Sequence, residues 1–226
     1  MIKKYIKLKQ ELTDASKARG AKQLIRLEVM IDVLYALMIY KLFTFMPSPE
    51  VDGFGRAELY QVLSESYLNY TIILIGLVLV IIYWGMNNLQ FGNLVRTDGR
   101  HAGLSILQVF SLMIYIYFVR LDAQFEGELL LMIMQSVFLA LAGFLSLGSW
   151  HYALKNGLVS NDPTELENDK MYIKLSPEPI VAVLTIPLAY FGPTVWTLGW
   201  LLLIPVGYFA KLIQKKMRVR KQSSNT

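Results

Sequence analysis

Apolar residues in this chain are gathered into long runs separated by shorter polar stretches. The runs lie near residues 27–46, 68–87, 103–119, 129–150, 178–191 and 195–213. A helix needs about 20 residues to cross ~30 Å of hydrocarbon, and roughly 17–25 is usual, so the pattern predicts six transmembrane helices. The runs are continuous rather than alternating, and a membrane β-strand would be only about 9–11 residues long. The predicted fold class is therefore all-α. The fifth run is the shortest, begins among Pro177 and Pro179 and contains Pro187. Gly192 and Pro193 supply a turn into the sixth, which predicts a tight helical hairpin.

Composition agrees with this pattern: 54% of the 226 residues are hydrophobic, too many for an ordinary soluble domain. The expected organisation is a membrane domain over 26–213 between a basic N-terminal segment, 1–25, and a basic tail, 214–226. Eight Lys or Arg lie up to Arg26, six from Lys211 onward and three between His151 and Leu175, against single arginines in the loops holding Arg56 and Arg120. The positive-inside rule then predicts a multi-pass protein with both termini cytoplasmic. No secretory signal is expected, because the first apolar run follows mostly polar residues and is long enough to stay in the membrane.

Within 1–25, Tyr5, Leu8 and Leu12 share one side of a lysine-rich helical pattern, which suits a solvated helix, one lying on the inner leaflet, or one packed beneath the bundle. Glu50, Asp52, Glu58 and Glu65 give the loop after the first run an acidic character that either concentrates cations or serves solubility. Residues 160–170, SNDPTELENDK, read as an ordinary polar loop.

Little in the chain suggests an enzyme, a cofactor site or a metal site. The absence of Cys removes thiolate chemistry. His101 and His151 sit at predicted helix ends without a ligand spacing, and no Gly-x-Ser-x-Gly or Walker-type loop occurs. Both histidines are expected at the membrane interface, as are Trp84, Trp150, Trp196 and Trp200. Ser136, Ala140 and Gly143 recur at helical spacing and predict close helix packing.

The first run, LEVMIDVLYALMIYKLFTFM, is unusual in carrying Asp32 and Lys41. Charges at such depth cost roughly 2.5–3.5 kcal/mol each on insertion scales and normally face a bundle interior or water. At 100° per residue, Met30, Val33, Lys41 and Thr44 fall within about 40° of Leu37, whereas Asp32 falls on the far side. The Leu37 face suits a symmetry axis or cavity. Asp32 is expected to turn into its own subunit and seek donors or a cation such as Arg26 or Arg96, as a structural tie or, less simply, as an ion-binding or proton-relay group.

Arg26-Leu27-Glu28-Val29-Met30-Ile31-Asp32 resembles the R-x-x-x-F-S-D signature that opens the first helix in the lysosomal potassium channel family, transmembrane protein 175 and its prokaryotic relatives. The resemblance extends from residue 26 to about 213, through YWGMNNLQF at 83–91, RTDGRHAGLSILQVFSLMIYIYF at 96–118, the connection near LDAQFEGE and HYALKNGL after the fourth run. It implies a homotetramer of six-helix subunits in a bacterial inner membrane, with the first helices around a potassium pathway closed by large aliphatic side chains. Leu37 stands at the family's constriction position, five residues after the signature Asp. Such an apolar ring gates by dewetting.

The chain departs from the family at Met30 and Ile31, which replace the signature Phe and Ser, and at Asn87-Asn88, which replace a histidine-bearing pair. Lys41 lies one turn beyond Leu37 on the same face, where it either lines the outer pore, opposing potassium, or snorkels or pairs with Glu50 or Glu58. Potassium channel is the leading expectation, with the chain itself, potassium ions and the lipid bilayer as partners and no nucleic acid. A non-conducting scaffold or sensor, or an anion-preferring variant, stays open beside it.

Overall fold

The computed structural model describes residues 2–45, 67–125, 127–159 and 165–212, with side chains throughout except at 2–13, 67–72, 123 and 165–169. The acidic loop with Glu50, Asp52, Glu58 and Glu65, Arg56, residues 160–164 and the tail 214–226 lie outside the described residues. The described chain is helical, and its one β feature is an isolated bridge between Leu94 and Val159.

Helix α1 spans Ile2–Thr44, α2 Tyr67–Phe91, α3 Gly99–Phe125, α4 Leu129–Lys155, α5 Glu165–Leu175, α6 Pro177–Leu188 and α7 Pro193–Gly199. Short 3-10 turns extend α6 through Phe191 and α7 through Leu202, and residues 203–212 continue the last helix. Five segments are long and apolar enough to cross a membrane: Ile73–Phe91, Gly99–Asp122, Leu129–Lys155, Lys170–Phe191 and Pro193–Leu212. With α1 they make six helices of a multi-pass membrane protein. The charges of α1 keep it out of that apolar set.

Two elements differ from the sequence pattern. Helix α1 has no break at residue 25: the basic segment and the first apolar run are one helix, because no proline interrupts the stretch and its polar residues are mostly good helix formers. It is steadied at Gly20, whose carbonyl accepts from the Thr97 amide at 3.2 Å. The second difference is α5, which occupies 165–175 where a loop was expected. Trp150, Met171 and Leu175 form a small core there, so the fifth crossing begins before Pro177. Pro177 and Pro179 lack the amide hydrogens that would carry α5 smoothly into α6.

Burial follows helical periodicity. On α1, Leu24, Leu27, Ile31, Tyr35, Met38 and Leu42 face inward against α2 and α3. Helix α4 is central and packs against α3, α5, α6 and α7. Two left-handed glycines make the connections at one end: Gly127, φ 77°, between α3 and α4, and Gly192, φ 100°, between α6 and α7. The expected hairpin turn at Gly192-Pro193 is present, with Pro193 in the first turn of α7.

The other end is fastened by polar groups. The Val95 amide donates to the Leu158 carbonyl at 2.9 Å, and Arg96 donates to the Gly157 carbonyl at 3.3 Å. Asp98 caps α3: its Oδ1 accepts from the amides of Arg100 and His101 at 3.1 and 2.9 Å, while Oδ2 accepts from the Tyr152 hydroxyl at 2.9 Å. Partial burial pushes the Asp98 carboxyl up, but the His101 amide, the Tyr152 hydroxyl and the Arg100 amide together hold it below the ordinary carboxylate range. A depressed carboxyl contributes stability above its unfolded pKa and loses it as pH falls through the folded value. Thermal unfolding in detergent should show Asp98→Ala losing about 1 kcal/mol of cap at neutral pH, with the difference from the parent shrinking in acid.

Candidate functional site: the outward face of the first helix

The inward stripe of α1 leaves the rest of its surface uncovered, Ile25, Val29, Tyr40 and Phe43 as well as the line through Leu37. Met30, Val33 and Leu37 are 40%, 53% and 52% exposed, and Lys41 and Thr44 continue the line in the open. Ile31, next to Met30, is buried at 1%. One face of α1 thus builds the subunit while the other presents an apolar strip ending in an ammonium and a hydroxyl. Thr44 Oγ1 is turned back to the Lys41 carbonyl at 2.7 Å. The Lys41 ammonium is exposed, and its suggested partners Glu50 and Glu58 lie outside the described residues.

Asp32 is also exposed, at the margin between α1 and α2, where its Oδ1 accepts from Trp84 Nε1 at 3.0 Å. Its partner is an indole rather than Arg26 or Arg96: Arg26 is exposed, and Arg96 is engaged with Gly157. The signature positions therefore divide. Ile31 packs inward, Asp32 ties α1 to α2, and Arg26 and Met30 face outward.

A second tie lies deeper, where Asn87 Nδ2 donates to the Tyr35 hydroxyl at 2.9 Å with both residues buried. Asn87 is the first of the Asn pair that replaces the family's histidine-bearing pair. The contact between the first two helices is polar here without an imidazole.

The aromatic and histidine positions differ from a simple interfacial belt. Trp150 and Trp196 are buried, and Trp196 Nε1 donates to Ser136 Oγ at 2.9 Å. His101 is 1% exposed, held at 2.9 Å to Thr97 Oγ1 and edge-on to Phe91. It lies inside, between Phe91 at the end of α2 and Thr97 of the loop that follows. His151 stays exposed and meets the Tyr172 hydroxyl at 3.0 Å. Sequence reasoning read Trp84 only as an interfacial ring and passed over Tyr35, Asp98 and Glu178. Of these, Glu178 carried a usable signal, as an acid at the start of an apolar run.

Among the described residues no group of three or more His, Cys, Asp or Glu is placed to hold a metal ion. What α1 offers is an uncovered apolar strip with one cation near its end, the kind of surface another helix or a narrow pore would use.

No protein-family model matches the chain, and no curated protein matches it. Solved structures do. A lysosomal potassium-selective channel TMEM175 homolog from Chamaesiphon minutus superposes with a TM-score of 0.67 at 15% identity, over 85% of this chain and 98% of that one. A variant of the potassium channel MtTMEM175, solved with a nanobody fusion, gives 0.61 at 18% identity, over 84% and 93%. The chain therefore has the fold of the prokaryotic TMEM175 homologues, the family that its first helix resembles in sequence.

Proposed function

We propose that this chain is a potassium-permeable channel formed by several copies, four if the family arrangement holds, with the outward face of α1 around the ion path. The observation that carries this reading is the uncovered stripe Met30, Val33, Leu37, Lys41 and Thr44, on a helix whose opposite face is fully used inside the subunit. A membrane helix with two such faces is suited to a shared axis. The solved structures of the same fold are described as potassium channels, which supports the ion assigned.

In this reading Leu37 forms the hydrophobic constriction and Val33 adds apolar wall beside it. Asp32, hydrogen-bonded to Trp84, steadies α1 against α2 rather than meeting the ion. The exposed apolar side chains of the last helix, among them Leu198, Leu201, Ile204 and Phe209, face lipid. The Lys and Arg distribution supports a bacterial inner membrane orientation with both termini cytoplasmic.

One observation favours a second reading. Lys41 is exposed on the Leu37 face, and copies gathered around an axis would bring their ammonium groups together. That arrangement suits anions, or a scaffold or sensor that does not conduct. Purified chain reconstituted into liposomes, with oligomer verified by cross-linking, separates these. Potassium flux above sodium and chloride supports the proposal; chloride flux supports the anion reading, and no flux of any ion the scaffold.

A further inference from the structure

Glu178 is an acid deep in the subunit, 7% exposed, in the first turn of α6 between Pro177 and Pro179. Its Oε2 meets the Tyr83 hydroxyl of α2, and that same hydroxyl reaches the Leu139 carbonyl of α4 at 3.1 Å. A phenol carries one proton and can donate it once. If Tyr83 donates to Leu139, the contact with Glu178 needs a proton from the carboxyl. The chain of donors then runs from the Glu178 carboxylic acid to the Tyr83 oxygen, and from the Tyr83 hydroxyl to the Leu139 carbonyl.

The other carboxyl oxygen, Oε1, is buried with no hydrogen-bond partner. An ionised carboxylate left in this state would be far more costly than a neutral acid. The second interior acid behaves differently: Asp122 accepts from Gln135 Nε2 at 3.0 Å and from the Gly127 amide at 3.2 Å, so both of its oxygens have donors.

The charges around Glu178 offer no substitute for a proton. Helix α2 contributes Tyr83, α3 contributes Tyr115, and α1 contributes Tyr35 beyond them, all phenols rather than cations. Helix α4 presents the Leu139 carbonyl and Gly143, whose position leaves no room for a side chain against Glu178 and Pro179. Among the described side chains, every lysine and arginine of α1, α3, α4 and α5 is exposed, and α2, α6 and α7 carry no basic residue.

We propose that Glu178 is a buried proton-binding site, occupied in the folded protein, and that losing this proton loosens the α6–α7 hairpin from α4. A neutral acid completes the chain to Leu139; an ionised one leaves Oε1 without a donor and must draw in water or a cation, which the close α4–α6 contact at Gly143 opposes. Stability from this site is present while the acid is protonated and is lost as pH rises. This holds whether or not the protein conducts.

The full-length protein in detergent tests it with two measurements. Infrared spectra at neutral pH should show the carbonyl stretch of a protonated carboxylic acid that Glu178→Gln removes. The thermal unfolding temperature of the parent should fall as pH rises from about 4.3, where a carboxyl of the unfolded chain ionises, through neutral pH. Glu178→Gln, whose amide can donate to Tyr83 without ionising, should fold and lose that decline, while Glu178→Ala should unfold at lower temperature at every pH. The proposal is overturned if Glu178→Gln fails to fold, if it keeps the parent's decline over this range, or if no protonated-acid band disappears with it.

Discussion

Gly143→Ala should destabilise the subunit by about 1–3 kcal/mol, the usual range for forcing added volume into a filled site, and its lower melting temperature in detergent is the measurement. A Cβ at this position would stand 2.6 Å from Glu178 Oε2, 2.7 Å from Pro179 Cβ and 2.8 Å from Pro179 Cδ. Proline cannot rotate aside, and the Glu178 oxygen is already held by Tyr83. The added methyl therefore has to move α6 itself. Gly148→Ala is the control on the same helix, because nothing lies within 4 Å of a Cβ there. It exchanges glycine for a better helix former and should leave stability unchanged or raise it slightly. Equal losses at both positions would mean that the α4–α6 contact is not limiting.

The contrast between these glycines marks the boundary of what the sequence discloses. The spacing of Ser136, Ala140 and Gly143 announces a close helix contact, and the structure places α6 against that face. It does not announce that Glu178 fills the space, since an acid beside two prolines reads equally well as the polar start of a helix. The main apolar runs and the Gly192-Pro193 turn are legible because lipid demands length and turns demand special backbone angles. Helix α5 is not, because its polar residues give no hydropathy signal, although Met171 and Leu175 join a core. For the same reason the continuity of α1 through its basic half is hidden. Although Asp32 is exposed rather than turned into the subunit, that it and Leu37 lie on different sides of the first apolar run is visible in the pattern alone. The partner of Asp32 is not, because the Trp84 contact joins residues far apart in sequence, and Trp84 otherwise reads as one more interfacial ring.

Leu37→Ala should raise cation flux several-fold in liposomes containing verified oligomer, the largest functional effect expected of a single substitution. Leu37 is 52% exposed, away from the buried stripe of α1, so trimming it removes little from the subunit core. Its effect falls instead on whatever faces it across an axis. An apolar ring narrow enough to shed water blocks hydrated ions, and shortening each side chain from leucine to alanine widens the ring and lowers the cost of wetting it. Ile31→Ala supplies the contrast, because Ile31 is buried at 1%: that change should reduce thermal stability by about 2–5 kcal/mol without opening a path. Lys41→Ala then distinguishes the two placements of the lysine. If the ammonium groups line the path, removing them increases potassium flux and reduces any chloride flux; if they snorkel to the interface, both stay as they were. Flux unmoved by either Leu37→Ala or Lys41→Ala, in oligomers of normal size, would take α1 away from the ion path and leave the scaffold as the better account of its uncovered face.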